Sequence, residues 1–118
     1  MEPLLVACLC AQWCGVCREW RAGFDALAAH SPRARFLWLD VEDAADLLGD
    51  YEPDNFPVLA VQRGADLVYC GALPQQPGVW LRLIEELDGL GSDEAAQRAA
   101  RLAQTCPHLP DLRGLAGR

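Results

Sequence analysis

The sequence predicts an α/β fold, a mixed central sheet of about four strands flanked by helices. Three patterns carry that expectation. Leu4 to Cys10 is an unbroken apolar run of strand length, as expected for a strand buried on both faces. The residues after it place apolar side chains at spacings of three and four, the period of an amphipathic helix. Further on, two apolar runs flank a short glycine-containing connection of hairpin type.

Taken in order, Leu4–Cys10 is the central strand, entered after Pro3. From Cys14 onward Val16, Trp20, Phe24, Leu27 and Ala28 describe a helical face, and Ser31-Pro32 supplies the stop. The two cysteines at 14 and 17 sit on its first turn. Arg35 to Asp40 is a second strand, and Ala44 to Leu48 a short helix closed by Gly49. Strand, helix, strand implies a parallel pair joined by a right-handed crossover. Pro57–Gln62 and Asp66–Cys70, around Arg63-Gly64-Ala65, form the antiparallel hairpin. Val79, Leu83 and Leu87 with Trp80 and Ile84 mark a helix ending near Gly89, and Asp93 to Gln104 is an Ala-rich helix behind a Ser92 cap. The tail from Cys106 to Arg118, with two Pro and two Gly, is expected to be irregular. No internal repeat is visible.

The 118 residues suit one compact domain, and a composition 52% hydrophobic and 23% charged separates the chain from disordered and fibrous classes. The net charge of -7 is reached with no Lys at all, and the Arg residues are scattered. Nucleic acid and anionic membrane surfaces are therefore not expected partners. The opening apolar run is too short to span a bilayer and has no basic residues before it, so neither a membrane helix nor a signal peptide is expected. The expected compartment is the cytosol, where six Cys are thiols, redox pairs or metal ligands rather than a disulfide framework.

Cys14-Gly15-Val16-Cys17 is the segment that carries chemistry. A disulfide exchanger needs one ionised, accessible thiol and a second within reach of the mixed disulfide. A helix start supplies unpaired N–H groups and a positive dipole end, which favour a thiolate on Cys14 and lower its pKa from the free value of about 8.5. Cys17, one turn deeper, is placed to resolve, and Gly15 lets a partner chain approach. Taken alone, Cys-x-x-Cys is equally half of a zinc site or two small buried hydrophobes. The strand before it and the helix after it favour redox chemistry.

The stretch from about Leu4 to Leu90 resembles the thioredoxin family. Ala11-Gln12-Trp13-Cys14-Gly15-Val16-Cys17-Arg18 is similar to its active-site segment, Leu39-Asp40-Val41 to the end of its next strand, and Phe56-Pro57 to its cis-proline turn. Tyr51 and Gly71-Ala72-Leu73 fit as well. The resemblance implies a thioredoxin-like domain over residues 1–90, followed by a helical extension and tail over 91–118. It implies thiol–disulfide oxidoreductase activity on protein disulfides, no bound cofactor or metal, and electrons from a reductase or other dithiol donor. Cys14 and Cys17 would be catalytic. Trp13, Gly15, Val16, Phe56, Pro57 and Gly71 would form the substrate groove, where an extended chain pairs beside Phe56.

The sequence also departs from the family. The Asp usually beneath the second cysteine falls on Cys8 and its Lys partner on Phe36, so the proton acceptor for the resolving thiol is lost. Val16 replaces the usual Pro, Val58 the Thr after the cis-proline, and Ala22-Gly23 the kink-forming Pro of the helix. With only three residues before Leu4, the family's first strand has no counterpart, which leaves Arg35–Asp40 as a sheet edge. That edge is expected to be covered by the Ala-rich helix, or else to pair with a second copy. Cys8 and Cys10 share one strand face, toward the active-site helix. They are two small buried hydrophobes, or they join Cys14 and Cys17 in a second disulfide step or a thiolate metal site. A groove-bearing adaptor without catalysis is the remaining alternative. Cys70 and Cys106 are expected to be incidental, His30 and His108 to lie at surface ends, and Asp40, Glu42, Asp43 and Asp46 to form a solvated helix start.

Overall fold

The computed structural model describes residues 3–11, 14–49, 51, 56–106 and 109–115. Its elements are β1 (Leu4–Cys10), α1 (Gly15–His30), β2 (Arg35–Asp40), α2 (Ala45–Leu48), β3 (Val58–Arg63), β4 (Asp66–Ala72), α3 (Pro77–Asp88), α4 (Ser92–Thr105) and α5 (Leu112–Leu115). They make a mixed four-stranded sheet in the order β2-β1-β3-β4. β1 runs parallel to β2 and antiparallel to β3, and β3 and β4 form the hairpin. Gly64, with φ of 56°, takes the left-handed conformation at the hairpin turn, where a Cβ would be strained. Among the described residues no helix is long and apolar enough to cross a membrane.

Every residue of β1 is buried, as an apolar run between two covered faces requires. Its alternation divides the core. Leu4, Val6, Cys8 and Cys10 face α1 and α3, joining Cys17, Trp20, Phe24, Leu27, Trp80, Ile84 and Leu87. Leu5, Ala7 and Leu9 face the other side, with Leu39, Leu48, Val58, Leu112 and Leu115. Helix α1 buries Cys17, Trp20, Phe24 and Leu27, whereas Val16, expected on that face, is 37% exposed. The buried stripe passes through Cys17, Trp20, Phe24 and Leu27, so at this turn Cys17 takes the inward position and Val16 lies beside it. The Trp20 and Trp80 rings meet at 4.8 Å between centroids and tie α1 to α3. Such pairs add about 0.5–1.5 kcal/mol beyond the area they bury. Gly23 is required by this packing, because a Cβ there would lie 2.6 Å from the Trp20 ring.

Two expectations for the C-terminal region are corrected. Helix α4 lies against β4 and not against β2. Its half-buried and buried residues, Ala95, Arg98, Ala99, Leu102 and then Cys106, follow helical spacing, so one stripe faces the sheet edge. The Arg98 guanidinium donates to the Val68 carbonyl at 3.3 Å, capping an edge acceptor of β4. The direction is set by chain connectivity: α3 runs back along the sheet and ends at Asp88, where Arg63 of β3 donates to the Asp88 and Leu90 carbonyls. The chain thus leaves α3 tied to the hairpin side of the sheet.

The tail is likewise not irregular throughout. Leu112 and Leu115 of α5 are buried on the second face of the sheet. They are held by Gln62, a buried strand glutamine whose amide N–H donates to the Gly64 carbonyl and Asp111 carboxylate and whose carbonyl accepts the Leu112 N–H at 2.8 Å. A single buried side chain therefore anchors a segment that its Pro and Gly content marks as loop.

Candidate active site

The strand pairing places the candidate site at one end of the sheet. β1 ends at Cys10, where Leu9 faces Val58, and Val58 in turn faces Ala72 of β4. Pro57 immediately precedes Val58, and Gly71 pairs with Leu59. Cys14 follows β1 after a short connection, with its N–H donating to the Ala11 carbonyl at 3.0 Å. The segments bearing Cys14, Pro57 and Gly71 therefore converge on the same sheet end, with Asp40 at the matching end of β2. The Phe56–Pro57 peptide bond is cis. Phe56 and Cys14 both pack against the α1 side of the core. Trp13, assigned to the groove by resemblance, lies outside the described residues, as does His108.

Cys14 is the N-cap of α1, with extended backbone (φ −86°, ψ 113°), and it is half-buried. Among the described residues no side chain caps this helix, so its first N–H groups are free to meet the sulfur. The Cys17 N–H, the Cys17 thiol and the Val16 N–H all hydrogen-bond to Cys14, and the Arg18 charge lies nearby. The Cys17 N–H is the foremost of them, and together they hold the Cys14 pKa below that of an ordinary thiol against the opposing effect of its own burial. Cys17 is in the opposite state. It is 1% exposed, and burial first, with the neighbouring Cys10 thiol second, pushes its pKa well above the ordinary range. One sulfur is thus prepared as the anion and the other kept as its hydrogen-bond donor.

Cys8 and Cys10 continue this series of sulfurs into the core. Their Sγ atoms are 3.6 Å apart, and Cys10 also lies within hydrogen-bond reach of Cys17. Cys10 is held firmly in its thiol form, first by its contact with Cys8 and then by burial. Among the described residues no group of three or more His, Cys, Asp or Glu side chains is arranged to hold a metal ion. The proximity of the four sulfurs is that of a file, each touching the next.

On the β2 side an open cleft of about 580 Å³ reaches Cys17 and Cys10, lined also by Arg18, Arg21, Trp38, Asp40 and Asp43. Arg21 stacks on Trp38 at 4.7 Å and pairs with Asp25 at 3.4 Å. Asp40 accepts the Glu42 N–H at 2.8 Å, so it caps the turn leading to α2. The sequence gives no direct sign of this cleft, because it depends on the crossing of α1 over β2.

Comparison with known proteins agrees with this architecture. A family model described as Thioredoxin matches residues 1–76. The chain is 33% identical over 60 residues to a thioredoxin of Echinococcus granulosus, covering 51% of this chain and 56% of that one. It is 31% identical over 77 residues to thioredoxin domain-containing protein 2 of Rattus norvegicus, covering 64% of this chain and 14% of that protein. The chain therefore spans only part of the length of these relatives. A solved structure of a mutant thioredoxin from Halobacterium salinarum NRC-1 superimposes with a TM-score of 0.65 at 23% identity, over 76% of this chain and 79% of that one.

Proposed function

The chain belongs to the thioredoxin family, and from that premise we propose that it is a thiol–disulfide oxidoreductase acting on protein disulfides through Cys14 and Cys17. The observation that carries the reading is the donor set around Cys14: two backbone N–H groups, the Cys17 thiol and the Arg18 charge all stabilise a thiolate there. The Cys14 thiolate attacks one sulfur of a substrate disulfide, forming a mixed disulfide and releasing the other substrate sulfur as a thiolate, which takes a proton from solvent. Cys17 then loses its proton and attacks Cys14, closing the Cys14–Cys17 disulfide and releasing the second substrate thiol. The pair is restored by an external dithiol, a reductase or similar donor, in the cytosol.

Cys8 stands where the family places the carboxylate that assists the resolving thiol. The proton of Cys17 leaves instead to water in the cleft beside Arg18 and Asp40, which makes this step slower and more dependent on pH. Gly15, Val16, Phe56, Pro57 and Gly71 form the groove that receives an extended substrate. Residues 1–90 make the thioredoxin-like domain and 91–118 its extension.

The test is a dithiothreitol-coupled insulin reduction assay, accompanied by trapping from cell extract. Wild type should reduce insulin, Cys14→Ser should not, and Cys17→Ser should accumulate substrates as mixed disulfides on Cys14. Equal trapping by both single variants would overturn the assigned roles. Undiminished partner binding by the variant lacking both thiols would identify an adaptor instead.

A further inference from the structure

The Cys70 and Cys106 sulfurs, apart in sequence and outside the site above, lie 2.8 Å from one another. Cys70 is on β4 and Cys106 is the C-cap of α4, so their contact joins the sheet edge to the end of the helix that covers it. Both are free thiols and both are half-buried. Cys106 continues the stripe of Ala95, Ala99 and Leu102 that faces β4, so the contact follows from the docking of the whole helix. The Tyr51 hydroxyl lies 3.7 Å from Cys70.

Helix α4 otherwise docks largely through small side chains. Ala95 is its one fully buried residue among those described, and the Arg98 bond to the Val68 carbonyl is at the long end of the range. We infer that Cys70 and Cys106 form a second, reversible redox pair whose disulfide clamps the C-terminal helix onto the edge of the sheet. The oxidant is a low-molecular-weight disulfide. One protein thiolate attacks it, giving a mixed disulfide and one small thiol; the second protein thiol, on losing its proton, displaces the other small thiol and closes the Cys70–Cys106 bond. Two protein thiols are oxidised and one small disulfide is reduced to two thiols. Burial pushes the Cys70 thiol up to about 12. The bond closes a loop containing α3 and α4, which restricts the unfolded chain.

The full chain with Cys14→Ser and Cys17→Ser isolates this pair from the active site. It is incubated with oxidised glutathione, digested with trypsin without reductant and mapped by mass spectrometry. The expected product is the peptide of residues 64–82 linked to that of 102–113. The melting temperature should rise by about 5–10 °C on oxidation, return with dithiothreitol, and stay constant when Cys106→Ser is added. Glutathione capping of Cys106 without the link, a link involving Cys8 or Cys10, or a linked protein with unchanged melting temperature would each overturn the inference. Because the active-site thiols are absent, the result is independent of the function proposed above.

Discussion

Two pairs of neighbouring cysteines, separated by only a few residues, have opposite chemistry. Cys14 and Cys17 meet at a helix start, where backbone N–H groups point at one sulfur. Cys8 and Cys10 meet in the core on β1, a strand whose backbone is paired with β2 and β3. Both pairs bring sulfur against sulfur, yet only the first supplies donors to an anion. Between these two pairs it is donors and access, rather than the closeness of the sulfurs, that decide which one holds a nucleophilic thiolate.

The severest way to break this comparison is Cys14→Ser, which should lower insulin reduction by about 10³-fold or more, while Cys8→Ala leaves it within a few-fold. Comparable losses in the two variants, read as initial rates, would erase the distinction. Next in size is the effect of the strand pair on stability. Cys10→Ala removes a buried sulfur that touches both Cys8 and Cys17, and should cost about 1–2 kcal/mol in urea unfolding. A smaller and more selective change is Val16→Pro, which deletes one of the N–H donors to Cys14 at a position early enough in α1 to accept Pro. It should raise the Cys14 pKa, while Cys17, whose N–H is the foremost donor, still lowers it. Smallest is Arg18→Ala, whose contribution is a screened surface charge. Its removal should raise the Cys14 pKa least of all, and the difference should vanish at high salt.

The two kinds of thiol also have opposite linkage to pH. The folded protein favours the Cys14 thiolate, so that contribution to stability is complete above the unfolded-state value of about 8.5 and is lost as pH falls through the lower folded value. Cys17 and Cys10 are favoured as neutral thiols, so their contribution is complete below about 8.5 and erodes as pH rises beyond it. Replacing Cys14 should flatten the acid side of the stability profile, and replacing Cys10 the alkaline side, both readable from urea midpoints.

Much of this was legible in the chain because it depends on local pattern. The apolar run of β1, the period of α1 and the glycine at the hairpin define their elements independently of what packs against them. The site was legible for the same reason, since Cys14 gains its donors from the helix it begins. What stayed hidden depends on distant partners. Gln62 looks like an ordinary polar residue in a strand, and only its bonds to Asp111 and Leu112 reveal that it holds α5. The side of the sheet chosen by α4 is fixed by where α3 ends, through Arg63, and not by the Ala-rich sequence of α4 itself. The same choice brings Cys106 to Cys70, a contact that no spacing in the sequence announces.

The central claim is that the start of α1 makes Cys14 reactive while Cys17 and Cys10 stay protonated. Its direct measurement is the rate of iodoacetamide alkylation of each cysteine in the native, fully reduced chain across pH, resolved by peptide mass spectrometry. Cys14 should react first, with a midpoint clearly below about 8.5, while Cys17, Cys8 and Cys10 remain unmodified. A Cys14 midpoint at or above that value, or labelling of Cys17 as fast as Cys14, would contradict the account.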